Sequence, residues 1–270
     1  MTMNKNQKLK QYAEDLRQAF FEAELLSYKV TNYFDIYARL FSHLRGEDCL
    51  FVETGVANGG SLMMWRKWLG PKARIIGIDM NPNAKKFEEL GFQIIIGDQG
   101  SRNFWKECSA QIKDFDVFLD DGGHQSFQQI VTFEEVSTMT NYGQLVIEDT
   151  CTSRLEEFSD HASYSFLDYA KALTEVLVAR DVCLYPNDFY KILNTEFVRK
   201  MAHLDSITFF PGMVAFNIDA QSDPAPELIW NRKPSNIEHD YRYHGVSSAE
   251  IEWPDPYSSS RCVEVRGKQN

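Results

Sequence analysis

The sequence predicts an α/β domain on a seven-stranded, mostly parallel sheet, with helices on both faces and an antiparallel hairpin strand at its end. Three observations carry this. From Cys49 to Ile147, short apolar runs bounded by turn residues alternate with stretches of helical spacing, the pattern of parallel strands joined by crossover helices. Glycine or acidic residues follow successive runs, where ligands bind in open parallel sheets. Later in the chain, two apolar runs flank Pro211-Gly212, which is hairpin chemistry.

The elements follow in order. Residues 5–46 read as helices, with Leu9, Tyr12, Leu16, Ala19, Phe20 and Ala23, then Phe34, Tyr37, Leu40, Phe41 and Leu44, at helical spacing. These faces are expected to pack on the sheet or on an oligomer partner, and Tyr33 and Arg39 are placed to reach a ligand. Cys49–Glu53 reads as the first strand, Gly59–Leu69 as a helix, Ala73–Asp79 as the second strand and Asn83–Leu90 as a helix. Phe92–Ile96 is the third strand, Ser101–Ile112 a helix, Asp116–Asp120 the fourth strand, Ser126–Met139 a helix and Leu145–Ile147 the fifth strand. Residues 151–203 read as mostly helical, with an amphipathic stretch from Tyr164 to Val178. Leu204–Phe210 and Met213–Ile218 form the hairpin. Residues 219–270 hold five prolines and few periodic apolar residues, so they read as an irregular tail whose aromatics (Trp230, Tyr241, Tyr243, Trp253, Tyr257) pack on something.

Composition excludes several classes. At 270 residues and 43% hydrophobic, the chain can build a full core. A net charge of −11 argues against unassisted binding to nucleic acid or an anionic membrane surface. No apolar run approaches a membrane span, and residues 1–8 lack a leader's apolar region. Five scattered cysteines (Cys49, Cys108, Cys151, Cys183, Cys262) form no CxxC. A disulfide framework is not expected, and a reducing cytoplasm is.

The strand ends carry the chemistry. Asp121-Gly122-Gly123-His124 follows the fourth strand and Glu148-Asp149 the fifth. If those strands lie side by side, several carboxylates and one imidazole share a crevice, which calls for a divalent cation with a base beside it. Alone, Asp120-Asp121 would read as a helix cap and His124 as a structural histidine; the combination favours the metal site. The first strand ends in Glu53-Thr54-Gly55-Val56-Ala57-Asn58-Gly59-Gly60-Ser61. Its spacing lacks the middle glycine of G-x-G-x-x-G, so a nucleoside cofactor fits better than a dinucleotide, with Glu53 near the cofactor's ammonium group. Asp79 at the second strand end suits two ribose hydroxyls, and Asp98 and Gln99 after the third suit the adenine edge.

Glu53-Thr54-Gly55, Asp79, Gly97-Asp98 and the terminal hairpin resemble the class I S-adenosylmethionine-dependent methyltransferases, with a Rossmann-like sheet. The Asp-Gly-Gly-His and Glu-Asp motifs narrow the resemblance to the metal-dependent sugar O-methyltransferases of the macrocin and mycinamicin type. It covers roughly residues 30–218; nothing is carried over to the tail. It implies Mg²⁺, or another hard divalent cation, held by Asp121, Glu148 and Asp149, with His124 as general base. Imidazole titrates in the range that suits removing a hydroxyl proton. It also implies S-adenosylmethionine on the 53–61 loop (Glu53, Thr54, Gly55, Asn58, Gly59, Ser61) with Asp79, Asp98 and Gln99. Asp120 faces the cofactor or backs the metal.

The expected organisation is a helical cap over 1–46, a methyltransferase domain over 47–218 whose 151–203 segment lies near the acceptor, and the tail. The expected partner is a small-molecule hydroxyl on a sugar or polyketide, and the amphipathic N-terminal helices allow a homo-oligomer. A hydroxylase, an NAD-dependent oxidoreductase or a non-catalytic S-adenosylmethionine-binding module are the alternatives. Lys29, Arg154, Asp168 and Tyr169 read as solvated surface positions, with the acceptor pocket as the other option. His161, His203, His239 and His244 are singled out by no spacing.

Overall fold

The computed structural model describes residues 3–158, 164–179, 201 and 203–221. The rest of the predicted 151–203 helical stretch, the tail beyond Gln221 with its aromatics, Cys183, Cys262, His161, His239 and His244 lie outside the described residues.

Two N-terminal helices, α1 (Lys5–Phe21) and α2 (Tyr33–Phe41), precede the sheet. Its strands are β1 (Leu50–Thr54), β2 (Arg74–Asp79), β3 (Gln93–Ile96), β4 (Val117–Asp120), β5 (Tyr142–Ile147), β6 (Leu204–Phe210) and β7 (Met213–Asp219). Helices α3 (Gly60–Leu69), α4 (Arg102–Ile112), α5 (Ser126–Val136) and α6 (Phe166–Ala179) complete the set. The strand order is β3-β2-β1-β4-β5-β7-β6. β1 to β5 pair in parallel, and β7 runs antiparallel between β5 and β6. The fold class expected from the sequence is therefore the one observed.

Period-two alternation splits the strand residues between two cores. Phe51, Ile75, Val117 and Val146 join the helices α1, α2 and α3, while Leu50, Val52, Phe118 and Leu145 join α4, α5 and α6. On the first face Tyr37 and Phe41 of α2 lock against Trp65 of α3, with the Tyr37 and Trp65 ring centroids 5.0 Å apart. Burial of each such side chain contributes about 1.5–3 kcal/mol. This packing fixes α2 beside the strand ends, and an alanine at Phe41 would release it.

Two elements differ from expectation. The N-terminal helices are separated by residues 22–32, which have no regular structure. There Leu26, Tyr28 and Val30 face outward while the Lys29 side chain is 2% exposed, an in–out alternation that a helix cannot produce. The segment Pro82–Leu90 is a 3-10 helix, begun by Pro82 and by the Asn81 side chain accepting from the Asn83 backbone. No helix among the described residues is long and apolar enough to cross a membrane.

Candidate active site

Strand order reverses between β1 and β4, so a crevice opens at their carboxyl ends. Register brings the ends level: Thr54 pairs with Asp120, and Asp120 with Ile147. Gly55, Asp121 and Glu148 therefore follow side by side. Gly55 has φ +95°, and a Cβ on it would lie 1.9 Å from the Asp121 carbonyl oxygen. Only glycine allows the two loops to touch backbone to backbone.

A cavity of about 300 Å³ occupies the crevice. Thr54 to Asn58, Ser61, Asp79, Met80 and Gly97 to Gln99 line one part of it; Asp121 to His124 and Gln128 line another, and Leu26 to Tyr28 of the linker complete it. Three buried polar atoms with no partner among the described residues, Thr54 Oγ1, His124 Nδ1 and Gln128 Oε1, belong to these lining residues. Buried polar atoms are normally satisfied, so this wall is built to meet a polar ligand. Of the four non-glycine residues with positive φ among the described residues, Ala57, His124 and Asp149 lie in the loops of this crevice.

The predicted cofactor residues divide. Thr54, Gly55, Asn58, Ser61, Asp79, Asp98 and Gln99 line the cavity, whereas Glu53, Gly59 and Asp120 do not. Asp79 accepts from the backbone of Ala57 and Asn81, both at 2.8 Å, which ties the glycine loop to the β2 end. Glu53 is fully buried and accepts from Ser61 Oγ at 2.8 Å and Trp65 Nε1 at 3.3 Å. Asp120, 1% exposed, accepts from Gln99 Nε2 at 3.0 Å. Gln99 in turn accepts from Gly123 N at 2.8 Å and so braces the β4 loop. Neither Asp120 nor Asp121 caps α5, whose N-cap is Gln125 without a side-chain bond.

Of the metal residues, Asp121 and Asp149 meet His124 with one ligand atom each within 4.8 Å of the others. His124 Nε2 lies 3.5 Å from Asp149 Oδ2 and 3.9 Å from Asp121 Oδ1. Glu148 is turned inward and accepts from Tyr37 Oη at 2.5 Å and from Lys29 Nζ at 3.1 Å. Lys29 Nζ also donates to Asp121 Oδ2 at 2.5 Å and lies 3.9 Å from Glu53. Tyr33 Oη donates to Asp149 Oδ1 at 2.6 Å.

The electrostatics follow from this crowding. Burial pushes the Glu53 carboxyl up to about 7 against the pull of Lys29, and pushes Asp120 up to about 6 against the Gln99 hydrogen bond. Burial and then Asp121 raise Glu148 well above the usual carboxylate range. For Lys29, burial opposes the charge, but Asp121, Glu148 and Glu53 outweigh it and hold its pKa well above the ordinary value. One ammonium thus faces three carboxylates with Asp149 close by, a crowding of buried acids that favours protons on Glu53 and Glu148 and that a further cation would relieve. The two carboxylates Asp121 and Asp149 are oxygen donors that a hard divalent cation accepts, so these residues fit one, with the His124 imidazole beside it.

Two surface expectations are corrected. The Lys29 side chain is buried because three acids need its charge. Tyr169 is buried, its ring against Phe133 and its hydroxyl donating to Glu134, because it faces the core rather than the cavity. Tyr33 does reach the site, while Arg39 is exposed. Tyr37 was read only as an apolar helix position. The signal that could have found part of this set is the four-residue spacing of Tyr33 and Tyr37, two hydroxyl donors on one stripe of α2; Lys29 precedes the helix and leaves no such trace.

No family model matches the chain. It is 30% identical over 126 residues to 8-demethyl-8-(2-methoxy-alpha-L-rhamnosyl)-tetracenomycin-C 3'-O-methyltransferase of Streptomyces olivaceus, covering 44% of this chain and 32% of that protein. It is 28% identical over 164 residues to mycinamicin VI 2''-O-methyltransferase of Micromonospora griseorubida, covering 56% and 41%. The matches thus span between about a third and two fifths of those relatives' own length. The MycE methyltransferase of the mycinamycin pathway, solved in complex with Mg and SAH, has a similar fold: the TM-score is 0.65 at 21% identity, over 82% of this chain and 58% of that one. The resemblance carried by the strand-end motifs and that found by whole-sequence comparison point to the same group of sugar O-methyltransferases.

Proposed function

We propose that this chain is an S-adenosylmethionine-dependent, magnesium-dependent O-methyltransferase acting on a sugar hydroxyl of a glycosylated small molecule. One observation carries the reading: Asp121 and His124, whose ligand atoms lie within 4.8 Å of each other and of one from Asp149, line the cavity whose other part is the glycine loop and Asp79. A methyl donor held by the second part is thereby next to an acceptor held by the first. The curated relatives are named for methyl transfer to rhamnosyl tetracenomycins and to mycinamicin VI, which supports the sugar acceptor.

In this reading Thr54 to Asn58, Ser61 and Asp98 hold the cofactor, Asp79 takes its ribose hydroxyls, and Gln99 meets the adenine edge while bracing the β4 loop. Glu53 and Asp120 support that wall from beneath it. Asp121 and Asp149 hold a divalent cation, with Glu148 as the third carboxylate on the buried side. When bound, the metal would lower the hydroxyl's pKa and fix its orientation, and S-adenosylmethionine would supply the methyl. His124 takes the hydroxyl proton as the oxygen forms its bond to the methyl carbon and the carbon–sulfur bond breaks. The donor's sulfonium would leave as a neutral thioether, and the proton would rest on His124. Alignment of oxygen and methyl supplies much of the rate.

The test is transfer of labelled methyl from S-adenosylmethionine to a rhamnosylated polyketide, with and without chelator. Transfer is expected to need Mg²⁺. His124→Ala and Asp121→Asn are expected to lower turnover by at least about 100-fold while calorimetric affinity for S-adenosylmethionine stays within a factor of about three. Transfer undiminished by exhaustive chelation would remove the metal, and binding of NAD in place of S-adenosylmethionine would remove the reading as a whole.

A further inference from the structure

The N-terminal segment meets the candidate metal centre through three donors, one in the segment before α2 and two on α2. Lys29, Tyr33 and Tyr37 stand four residues apart, the last two on successive turns of α2. Each is bonded to a different acid: Lys29 to Asp121 Oδ2, Tyr33 to Asp149 Oδ1, and Tyr37 to Glu148 Oε1. Consecutive turns of one helix thus hold the consecutive acids Asp149 and Glu148.

The way the carboxylates divide their oxygens is the informative part. Asp121 gives Oδ2 to Lys29 and presents Oδ1 toward His124. Asp149 gives Oδ1 to Tyr33 and presents Oδ2 toward His124. In both acids one oxygen is fixed from the buried side, and its twin is thereby turned to the imidazole. Tyr33 is itself held from a third direction. Its hydroxyl is 3.2 Å from the Gly212 carbonyl at the β6–β7 turn, and a Cβ at Gly212 would come within 2.6 Å of that hydroxyl. Asn32 Nδ2 donates to Pro211 O at 3.1 Å, and Thr150 N donates to Gly212 O at 3.1 Å. The turn therefore ties the start of α2 to the residue that follows Asp149.

We propose that Lys29, Tyr33 and Tyr37 are positioning residues of the metal centre: Lys29 and Tyr33 turn one oxygen of Asp121 and one of Asp149 toward the cation, and Tyr37 fixes Glu148 on its buried side. This rests on the metal site proposed above. None of the three touches the reacting atoms; each acts through a carboxylate. Hydrogen-bond partners behind a metal ligand typically change affinity 10- to 100-fold when removed.

Tyr33→Phe tests this, because it removes one hydroxyl and keeps the buried ring. Mn²⁺ serves as the probe, followed by electron paramagnetic resonance on the full-length protein without cofactor. The expected result is an Mn²⁺ dissociation constant about 10- to 100-fold higher than wild type, with an altered bound-Mn²⁺ spectrum. The melting midpoint of the metal-free protein and its affinity for S-adenosylmethionine stay close to wild type. Tyr37→Phe, measured alongside, should shift Mn²⁺ affinity in the same direction through Glu148. If wild type binds Mn²⁺ and both phenylalanine variants bind it equally well with the same spectrum, the positioning role is overturned and the metal site stands. If wild type shows no bound Mn²⁺, the metal site itself is overturned, and this proposal with it.

Discussion

The two halves of the crevice are built in opposite ways. In the cofactor half, the acids at the ends of β2 and β3 are satisfied by nearby backbone. Asp98 accepts from Gly100 two residues on, and Asp79 accepts from Asn81 and from the adjacent glycine loop. Asp98 is exposed and Asp79 half-buried. In the metal half, the donors come from far along the chain. Lys29 is 92 residues from Asp121, Tyr37 is 111 from Glu148, and Tyr33 is 116 from Asp149. The first half is loop chemistry that any strand-to-helix turn can supply. The second exists only once the N-terminal segment has folded back over the sheet, so its electrostatics and the docking of α2 are one event.

The largest effect is expected from Lys29→Met. It would leave Glu53, Asp121 and Glu148 without the ammonium that offsets their burial. Removing one partner from a buried charged set costs about 3–5 kcal/mol, because the remaining charges cannot reach water. Urea denaturation of the metal-free protein should show a loss of that size, and added Mg²⁺ should restore part of it. A Lys29→Met protein as stable as wild type would mean that the metal half does not depend on the N-terminal segment.

The same contrast decides what could be read from the sequence. Every strand and the terminal hairpin were legible, because apolar runs closed by glycine or acid leave a local trace. The places of Thr54 to Asn58, Asp79, Asp121, His124 and Asp149 were legible for the same reason: each sits at a strand end or within four residues of one. The orientation of Glu148 was not, since its inward turn answers to Tyr37 and Lys29, more than a hundred residues away. Lys29 looked like any solvated lysine because its three acids are adjacent only in the folded sheet. The 3-10 geometry of Pro82–Leu90 and the break at residues 22–32 were missed differently: helical apolar spacing cannot distinguish a tight turn of helix from a true α-helix, nor see a lysine being drawn inward.

Asp79→Asn perturbs the cofactor half alone. Asp79 accepts from Ala57 N on Oδ2 and from Asn81 N on Oδ1, and asparagine keeps one acceptor oxygen, so one of these backbone bonds is lost and stability should fall by about 0.5–1.5 kcal/mol. The substitution also removes the negative acceptor proposed for the ribose hydroxyls. A hydrogen bond to a charged group contributes about 1.5–3 kcal/mol, which is a loss of S-adenosylmethionine affinity on the order of 10- to 100-fold. Mn²⁺ affinity should be untouched. Calorimetry that found Mn²⁺ and cofactor weakened together would show that the two halves are not separable at this residue.

The smallest effect lies where the halves meet, at Glu53, and it is read through pH. Its carboxyl is pushed up to about 7 by burial, with Lys29 opposing, from an ordinary value of 4.5. Between those values the folded protein binds a proton that the unfolded chain has released. Stability attributable to Glu53 is therefore highest below about pH 4.5, falls as pH rises to about 7, and is flat beyond. Glu53→Gln lacks this term. Its stability relative to wild type should rise across that window by on the order of 1–3 kcal/mol, upon a constant offset for the altered contact with Lys29. Asp120 titrates in both proteins and cancels in the difference. Thermal melts of the two metal-free proteins at pH 5 and pH 8 measure it. A difference that stays constant between those pH values would mean that Glu53 is already ionised at pH 5, and that Lys29 balances it as completely as Asn81 and Ala57 satisfy Asp79.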